Sequence, residues 1–383
     1  MAVDKVRIGV IGTGAMGSGH VRSIPQLEEA TLTAICDIDP QTLSEMEKEA
    51  AVPAFASYVE LLDSGLADAV IIATPHYLHP VIAIEAFKRG IHVLSEKPIS
   101  VTVSAADAMI AAARRSGCKF AVMYQRRTEP EVQAAHDVVA SGILGAIYRT
   151  NLIMGWYRTQ AYYDSGGWRA TWSGEGGGVL INQAPHFLDL FTWLGGMPER
   201  VTATTRTRRH RIEVEDEAFA TLEYPGGAHG YLYASTNEAP GRTVVEICGD
   251  RGKLILDGAE LKVYGLDAAI PEFTESDPGM WSSPKSTPVP VDIPTPDPLP
   301  GHLRITRNFA RAILFNEPLI SPGEEGLKAV EMIDAIILSS KSGKPVTLPV
   351  PRAEYDALLE SLKAQSRPKE TVVAQRMTDP NLK

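Results

Sequence analysis

Short apolar runs alternate with longer stretches of helical period over the first 125 residues. Residues 6–12 (VRIGVIG), 31–37 (TLTAICD), 68–75 (DAVIIATP), 92–98 (HVLSEKP) and 119–125 (KFAVMYQ) read as strands. Their near-continuous apolar character suits strands covered on both faces. Between them, Asp39-Pro40 reads as an N-cap with proline at the first helical position. Ser104 and Asp107 form a capping-box pattern, and Gly90 stands where a helix would end. Such alternation predicts a doubly wound parallel sheet. Beyond about residue 126 the period changes. A helix (129–142) leads to a strand (146–157), a glycine-rich passage and a helix around 178–194. Strand-like runs follow at 201–209, 218–224, 228–235, 243–249, 253–258 and 259–265, with hairpin signals at Pro225-Gly226-Gly227 and Gly249–Gly252. Runs of strands with few helices predict an α+β domain with a large open, mostly antiparallel sheet. Residues 284–300 read as a proline-rich surface connector, followed by helices near 302–315 and 324–342. The expected division is 1–125, 126–366, and a polar tail at 367–383.

Composition narrows the class. At 44 % apolar and 22 % charged residues, the 383-residue chain can fill two globular cores. A net charge of −10 without a long basic run argues against nucleic acid. No run reaches the roughly 18 apolar residues of a membrane span, and the first residues show no export pattern. Cys36, Cys118 and Cys248 are far apart and odd in number, which fits reduced thiols in a cytoplasmic protein. No metal-ligand spacing is present and no metal is expected.

The candidate chemistry lies at strand ends. Gly12-Thr13-Gly14-Ala15-Met16-Gly17 closes the first predicted strand and opens a helix. That context turns a weak glycine pattern into a pyrophosphate loop, with the helix N-terminus supplying free N–H groups. Asp37 ends the second strand, where an acid would bond the adenosine ribose. Ile38, Asp39 and Pro40 follow it, none of them basic, so the pattern favours NAD over NADP. Glu96-Lys97-Pro98 ends the fourth strand. Alone it reads equally as a surface ion pair. At the carboxyl end of a doubly wound sheet, Lys97 would stand near the nicotinamide as a desolvated acid/base.

The combination of GTGAMG, ATPHxxH (73–79), SEKP (95–98) and GGGVLINQAPH (176–186) resembles the glucose-fructose oxidoreductase / inositol dehydrogenase (Gfo/Idh/MocA) family, up to about residue 345. The resemblance implies an N-terminal Rossmann domain and an open-sheet domain for substrate and oligomerisation. It further implies redox chemistry on sugars or cyclic polyols, in homodimers or homotetramers. It places Thr74, Pro75, His76, His79 and Glu96 in the cofactor set, joined by Trp168 and Arg169. The family's carboxylate and histidine, four residues apart on a helix, correspond here to Asn182 and His186, with Asp189 and Trp193 roughly on the same face. An amide carries no charge, so Asn182 is expected to orient substrate while Lys97 and His186 exchange protons. In the aromatic run 156–175, Arg158 and Tyr163 are candidate substrate contacts, and Gln125 completes that set. His186 reads otherwise as a core histidine, and the aromatic run as a packed loop.

The resulting expectation is an NAD-dependent dehydrogenase oxidising a secondary hydroxyl of a sugar or polyol. Two alternatives stay open: a glycoside hydrolase that oxidises its substrate transiently and recycles NAD, and a cofactor-sensing binding protein.

Overall fold

The computed structural model describes residues 5–277, 279–369 and 372–373. Most of the tail expected at 367–383 lies outside the described residues. Six parallel strands form the first sheet: β1 Val6–Ile11, β2 Ala30–Cys36, β3 Ala54–Phe55, β4 Ala69–Ile72, β5 His92–Ser95 and β6 Phe120–Val122, in the order β3-β2-β1-β4-β5-β6. The apolar runs are strands because both faces are covered; all four residues of β4 are buried. The chain winds one way from β1 and then the other from β4, which opens a crevice at their carboxyl ends. Each strand end is held one residue further. Gly12 donates its N–H to the Cys36 carbonyl, Ala73 to Ile11 and Glu96 to Ile72, each at 2.8 Å.

Asp39 caps the helix Pro40–Ala50 by accepting from the Thr42 N–H. The cap of the helix Val103–Ser116 is Thr102 and not Ser104: Thr102 has the extended backbone an N-cap needs and accepts from the Ala105 N–H. Ser104 lies inside the helix and donates to Asp356, while Asp107 pairs with Arg352.

Nine strands form the second sheet: β7 Ile147–Tyr157, β8 Arg200–Arg206, β9 Glu217–Glu223, β10 His229–Ser235, β11 Asn237–Gly249, β12 Gly252–Asp257, β13 Glu260–Leu266, β14 Ser286–Pro288 and β15 Val346–Thr347. Their order is β14-β13-β12-β11-β7-β10-β9-β8-β15, and only β7 and β10 run parallel. The Pro225–Gly227 turn joins β9 to β10, as its glycines with positive φ permit. Part of the proline-rich stretch adds the edge strand β14. Helices Pro185–Gly195 and Gly323–Ser342 pack on one face. On the other face, Thr204, Phe219, Tyr233, Ile153 and Val244 stand in one cross-strand row, exposed at Phe219 (47 %) and Thr204 and buried at Val244.

The helix expected around 178–194 is two pieces, Val179–Asn182 and Pro185–Gly195. Pro185 has no N–H to continue the first and is well placed to start the second. Asn182 and His186 therefore sit on different elements and do not share one helical face. The helices Tyr58–Asp63 and Arg352–Ala364 and the two-residue strands β3 and β15 have no counterpart among the elements expected from the sequence.

Among the interactions that join the sheets are a helix and a buried ion pair. The helix Gly301–Phe315 crosses the expected division at residue 125 and packs Leu303, Ile305, Phe309 and Ala310 with Val6, Ile8, Val10 and Leu94. Arg127, just past β6, grips Asp189 of the helix Pro185–Gly195 with two parallel bonds of 2.8 and 2.6 Å; both side chains are 1 % exposed. Arg127 also bonds Glu325, so removing Asp189 leaves the buried guanidinium with that one, less buried carboxylate. Asp189→Ala is expected to cost about 3–5 kcal/mol, read by urea unfolding. A loss below about 1 kcal/mol, the level of an exposed pair, would show that the pair does not hold this join.

Candidate active site

A cleft of about 530 Å³ runs along the carboxyl ends of β1, β2, β4 and β5 to the second domain. Its floor is backbone. Gly12 has φ +87°, and a Cβ there would stand 2.7 Å from the Ala73 carbonyl oxygen. A Cβ on Gly17 would come within 1.7 Å of the Gly12 carbonyl oxygen, so only glycine lets the helix Ala15–Ser23 pack so close. Gly14 differs: a Cβ there meets nothing within 4 Å. It lines the cleft with Ala15 and Met16 at that helix N-terminus. Asp37 is fixed beside them. One of its oxygens accepts from the Thr13 N–H at 2.7 Å and hydroxyl at 3.1 Å; the other accepts from the Asp39 N–H at 2.9 Å. Thr13 thus serves to orient Asp37 and is not part of the cleft wall. Ile38 lies at the rim, 85 % exposed. Open space over Gly14, a helix N-terminus and a locked carboxylate fit a dinucleotide, with pyrophosphate over the glycines and ribose at Asp37.

Thr74, Pro75, His76, His79, Glu96, Lys97, Trp168, Arg169 and Asn182 line the other end. The His79 ring nitrogens lie 2.8 Å from the Pro98 and Thr74 carbonyl oxygens, tying two strand ends together. His76 meets the edge of Trp168 with ring centroids 5.8 Å apart. Glu96 is buried and bonds His20 at 2.8 Å. Burial alone would raise its pKa, but His20 outweighs that and holds it at about 2, so the carboxylate is charged.

Lys97 follows, with a cis bond to Pro98. Its Nζ donates to the Asn182 carbonyl at 2.8 Å, across the join between domains. It keeps part of its surface open to the cleft, yet the protein packed around it lowers its pKa, opposed by Glu96 and Glu175. Burial also drives the His186 pKa well below the usual imidazole value, with Lys97 adding to the effect. The ring is therefore neutral, and its Nδ1 is buried without a hydrogen-bond partner. Its edge faces Tyr124 at 6.0 Å, and it does not line the cleft.

The remaining substrate candidates scatter. Arg158 lines a separate cavity of about 430 Å³ with Arg126, Trp156 and Phe187, its guanidinium 5.1 Å from the Trp156 ring centre. Gln125 is buried against Gly301. Tyr163 is 1 % exposed and its hydroxyl bonds Thr236 at 2.6 Å, away from the cleft. The neighbouring Tyr162 takes its place at the site. Its hydroxyl accepts from Arg169 at 2.7 Å and Gln183 at 2.8 Å, and donates to Asn182 Oδ1 at 3.3 Å. Glu175, His20 and His302 also converge here and were not anticipated. Glu175 carried one sequence signal, an acid heading the Gly176–Gly178 run. The two histidines carried none, since each depends on tertiary contact.

Two family models match the chain. One, described as "Oxidoreductase family, NAD-binding Rossmann fold", covers residues 6–124; the other, "GFO/IDH/MocA C-terminal domain", covers 132–255. Among solved structures, the WlbA dehydrogenase from Bordetella pertussis in complex with NADH and UDP-GlcNAcA is 30 % identical. That comparison covers 91 % of this chain and 100 % of that one, with a TM-score of 0.77. Among curated relatives, scyllo-inositol 2-dehydrogenase (NADP(+)) IolW of Bacillus subtilis is 26 % identical over 90 % of this chain and 97 % of its own length. The 2,7-anhydro-N-acetylneuraminate hydratase of Escherichia coli is 29 % identical over 67 % and 68 %.

The glycine geometry separates ligand space from packing space. Gly14→Val meets no clash and should lower the melting temperature of the ligand-free protein only by the cost of a poorer N-cap. It should weaken NADH binding at least about tenfold, equivalent to 1.4 kcal/mol, in a fluorescence titration. Unaltered NADH affinity would show that the dinucleotide does not cross Gly14.

Proposed function

Because the chain belongs to the GFO/IDH/MocA oxidoreductase family, we propose that it is an NAD-dependent dehydrogenase oxidising a secondary hydroxyl of a sugar or cyclic polyol. The observation that carries this reading is the Lys97 amine, its proton affinity lowered by burial, where the cofactor cleft meets the second domain. A neutral amine there takes the hydroxyl proton as the carbon–hydrogen bond breaks. Neutral His186 is buried beside Tyr124 and does not line the cleft, so the proton step of this reading rests on Lys97. The Asn182 amide donates to Glu175 and accepts from Tyr162, which leaves one N–H for substrate. When bound, the nicotinamide supplies the hydride acceptor. Trp168 and Arg169 wall that end of the cleft.

Asp37 supports NAD as the cofactor, since a fixed carboxylate would repel a 2′-phosphate. The Bacillus subtilis relative carries NADP(+) in its name, so the comparison of kcat/KM with both cofactors is informative. A clear NADP preference would overturn this part of the reading. The hydratase relative favours a second reading, in which oxidation is transient and the cofactor is recycled. Net NADH formation across a panel of sugars, inositols and glycosides argues for the dehydrogenase. Product formation without NADH argues for the cycle.

The sheet face exposed at Phe219 supports assembly with further copies of the chain, as a homodimer or homotetramer, through the row containing Phe219 and Tyr233. Phe219→Glu should shift the protein toward monomer in sedimentation; an unchanged sedimentation coefficient would exclude that face. Among the described residues, no helix is long and apolar enough to cross a membrane. The three free cysteines support a cytoplasmic location.

Lys97→Met keeps most of the side-chain volume and removes the amine. It should slow single-turnover hydride transfer by about 10²–10⁴ while NADH binding stays intact. Wild-type turnover in that variant would exclude Lys97 as the base.

A further inference from the structure

Glu175 is a carboxylate 1 % exposed, placed where an acid needs a reason to be. One oxygen accepts from the Ala170 N–H, and the other accepts from the side-chain amide of Asn182. Arg169 approaches to 3.9 Å. The backbone carbonyl of the same Asn182 is the acceptor for Lys97 Nζ. Residue 182 is thus gripped from both sides, by a carboxylate through its side chain and by the lysine through its main chain. The Ala170 bond alone does not require a charge, since a neutral amide oxygen would satisfy one N–H. The bond from Asn182 does constrain chemistry. A carboxylate at 182 would meet Glu175 oxygen to oxygen, and two such acids cannot both ionise.

We propose that Glu175 is a positioning residue that locks Asn182 and supplies, across it, a second negative charge facing Lys97; on this account residue 182 is an amide because the charge is already present at 175. The mechanistic weight of this inference rests on Lys97 being the base of the proposed dehydrogenase.

The surroundings set the sign of the effect. Lys97 faces Glu96 and Glu175, which favour its charged form, and Arg169 and Arg158, which disfavour it. The histidines at 76, 79, 186 and 302 also feel its charge. Burial raises the Glu175 pKa, while Arg169, the Ala170 N–H, the Asn182 amide and Lys97 oppose that rise and favour its charged form; Tyr162, Tyr163 and Lys369 lie nearby. Removing its negative charge therefore makes Lys97 lose its proton at lower pH.

The test reads Lys97 directly in the ligand-free protein. Trace acetylation with acetic anhydride across a pH series, quantified at Lys97 by mass spectrometry, gives the pH at which the amine becomes free. Glu175→Gln should shift that midpoint down by about 1–2 pH units, the scale of one charge lost at close range. Asn182→Asp alone should lower the melting temperature, because two carboxylates then meet. The double variant Glu175→Gln/Asn182→Asp moves the charge to 182 and should recover both the melting temperature and the midpoint. It also keeps the test open should Glu175→Gln fail to fold. An unmoved midpoint in Glu175→Gln, or a double variant no better than Asn182→Asp, would overturn the proposal and leave Glu175 as a turn brace. Since no substrate is involved, this result stands apart from the dehydrogenase reading, which falls only if no oxidation is found.

Discussion

An ammonium taken from water costs several kcal/mol unless the protein returns hydrogen bonds and opposite charge. Lys97 receives them from both domains: Glu96 beside it on the parallel sheet, the Asn182 carbonyl and Glu175 from across the join. These partners do not fully compensate for burial, and the shortfall is chemically useful. An amine compensated completely would hold its proton too tightly to act as a base, whereas one left alone would be too weak a base to take the hydroxyl proton. Many other features of the site follow from holding this balance. His20 keeps Glu96 charged, His79 braces Pro98, and the Arg127–Asp189 pair fixes the helix that carries His186.

The fold was legible where burial and strand ends make local patterns. The runs VRIGVIG and DAVIIATP announced β1 and β4 because both their faces are covered. The Pro-Gly-Gly turn announced a hairpin because its glycines provide the φ values the turn needs. Asp39-Pro40 announced its helix because the cap is local. Thr102 was overlooked in favour of Ser104 because both have hydroxyls, and backbone conformation decided between them. The helix Gly301–Phe315 has a clear apolar face, but nothing in sequence says that this face returns to the first sheet.

The site was legible in the same uneven way. The cofactor end is written in consecutive residues, so the glycine loop, Asp37 and Glu96-Lys97 fall together along one cleft. The substrate end is assembled from distant segments. Spacing suggested that Asn182 and His186 share a helical face, and Pro185 breaks it. Two adjacent tyrosines could not be told apart until burial turned Tyr163 toward Thr236 and Tyr162 toward Arg169. Glu175 was passed over because its significance depends on what it touches: a neutral amide at 182 looks like a missing charge until the buried acid behind it is seen.

The central claim is that the Lys97 amine itself moves the proton. The most direct measurement is chemical rescue of Lys97→Met by small alkylamines, following hydride transfer in a single turnover on the polyol or sugar the wild-type protein oxidises. The account predicts a slow variant whose rate rises with amine concentration and with the free-base fraction of the amine. A variant that transfers hydride at the wild-type rate with no amine present would contradict it.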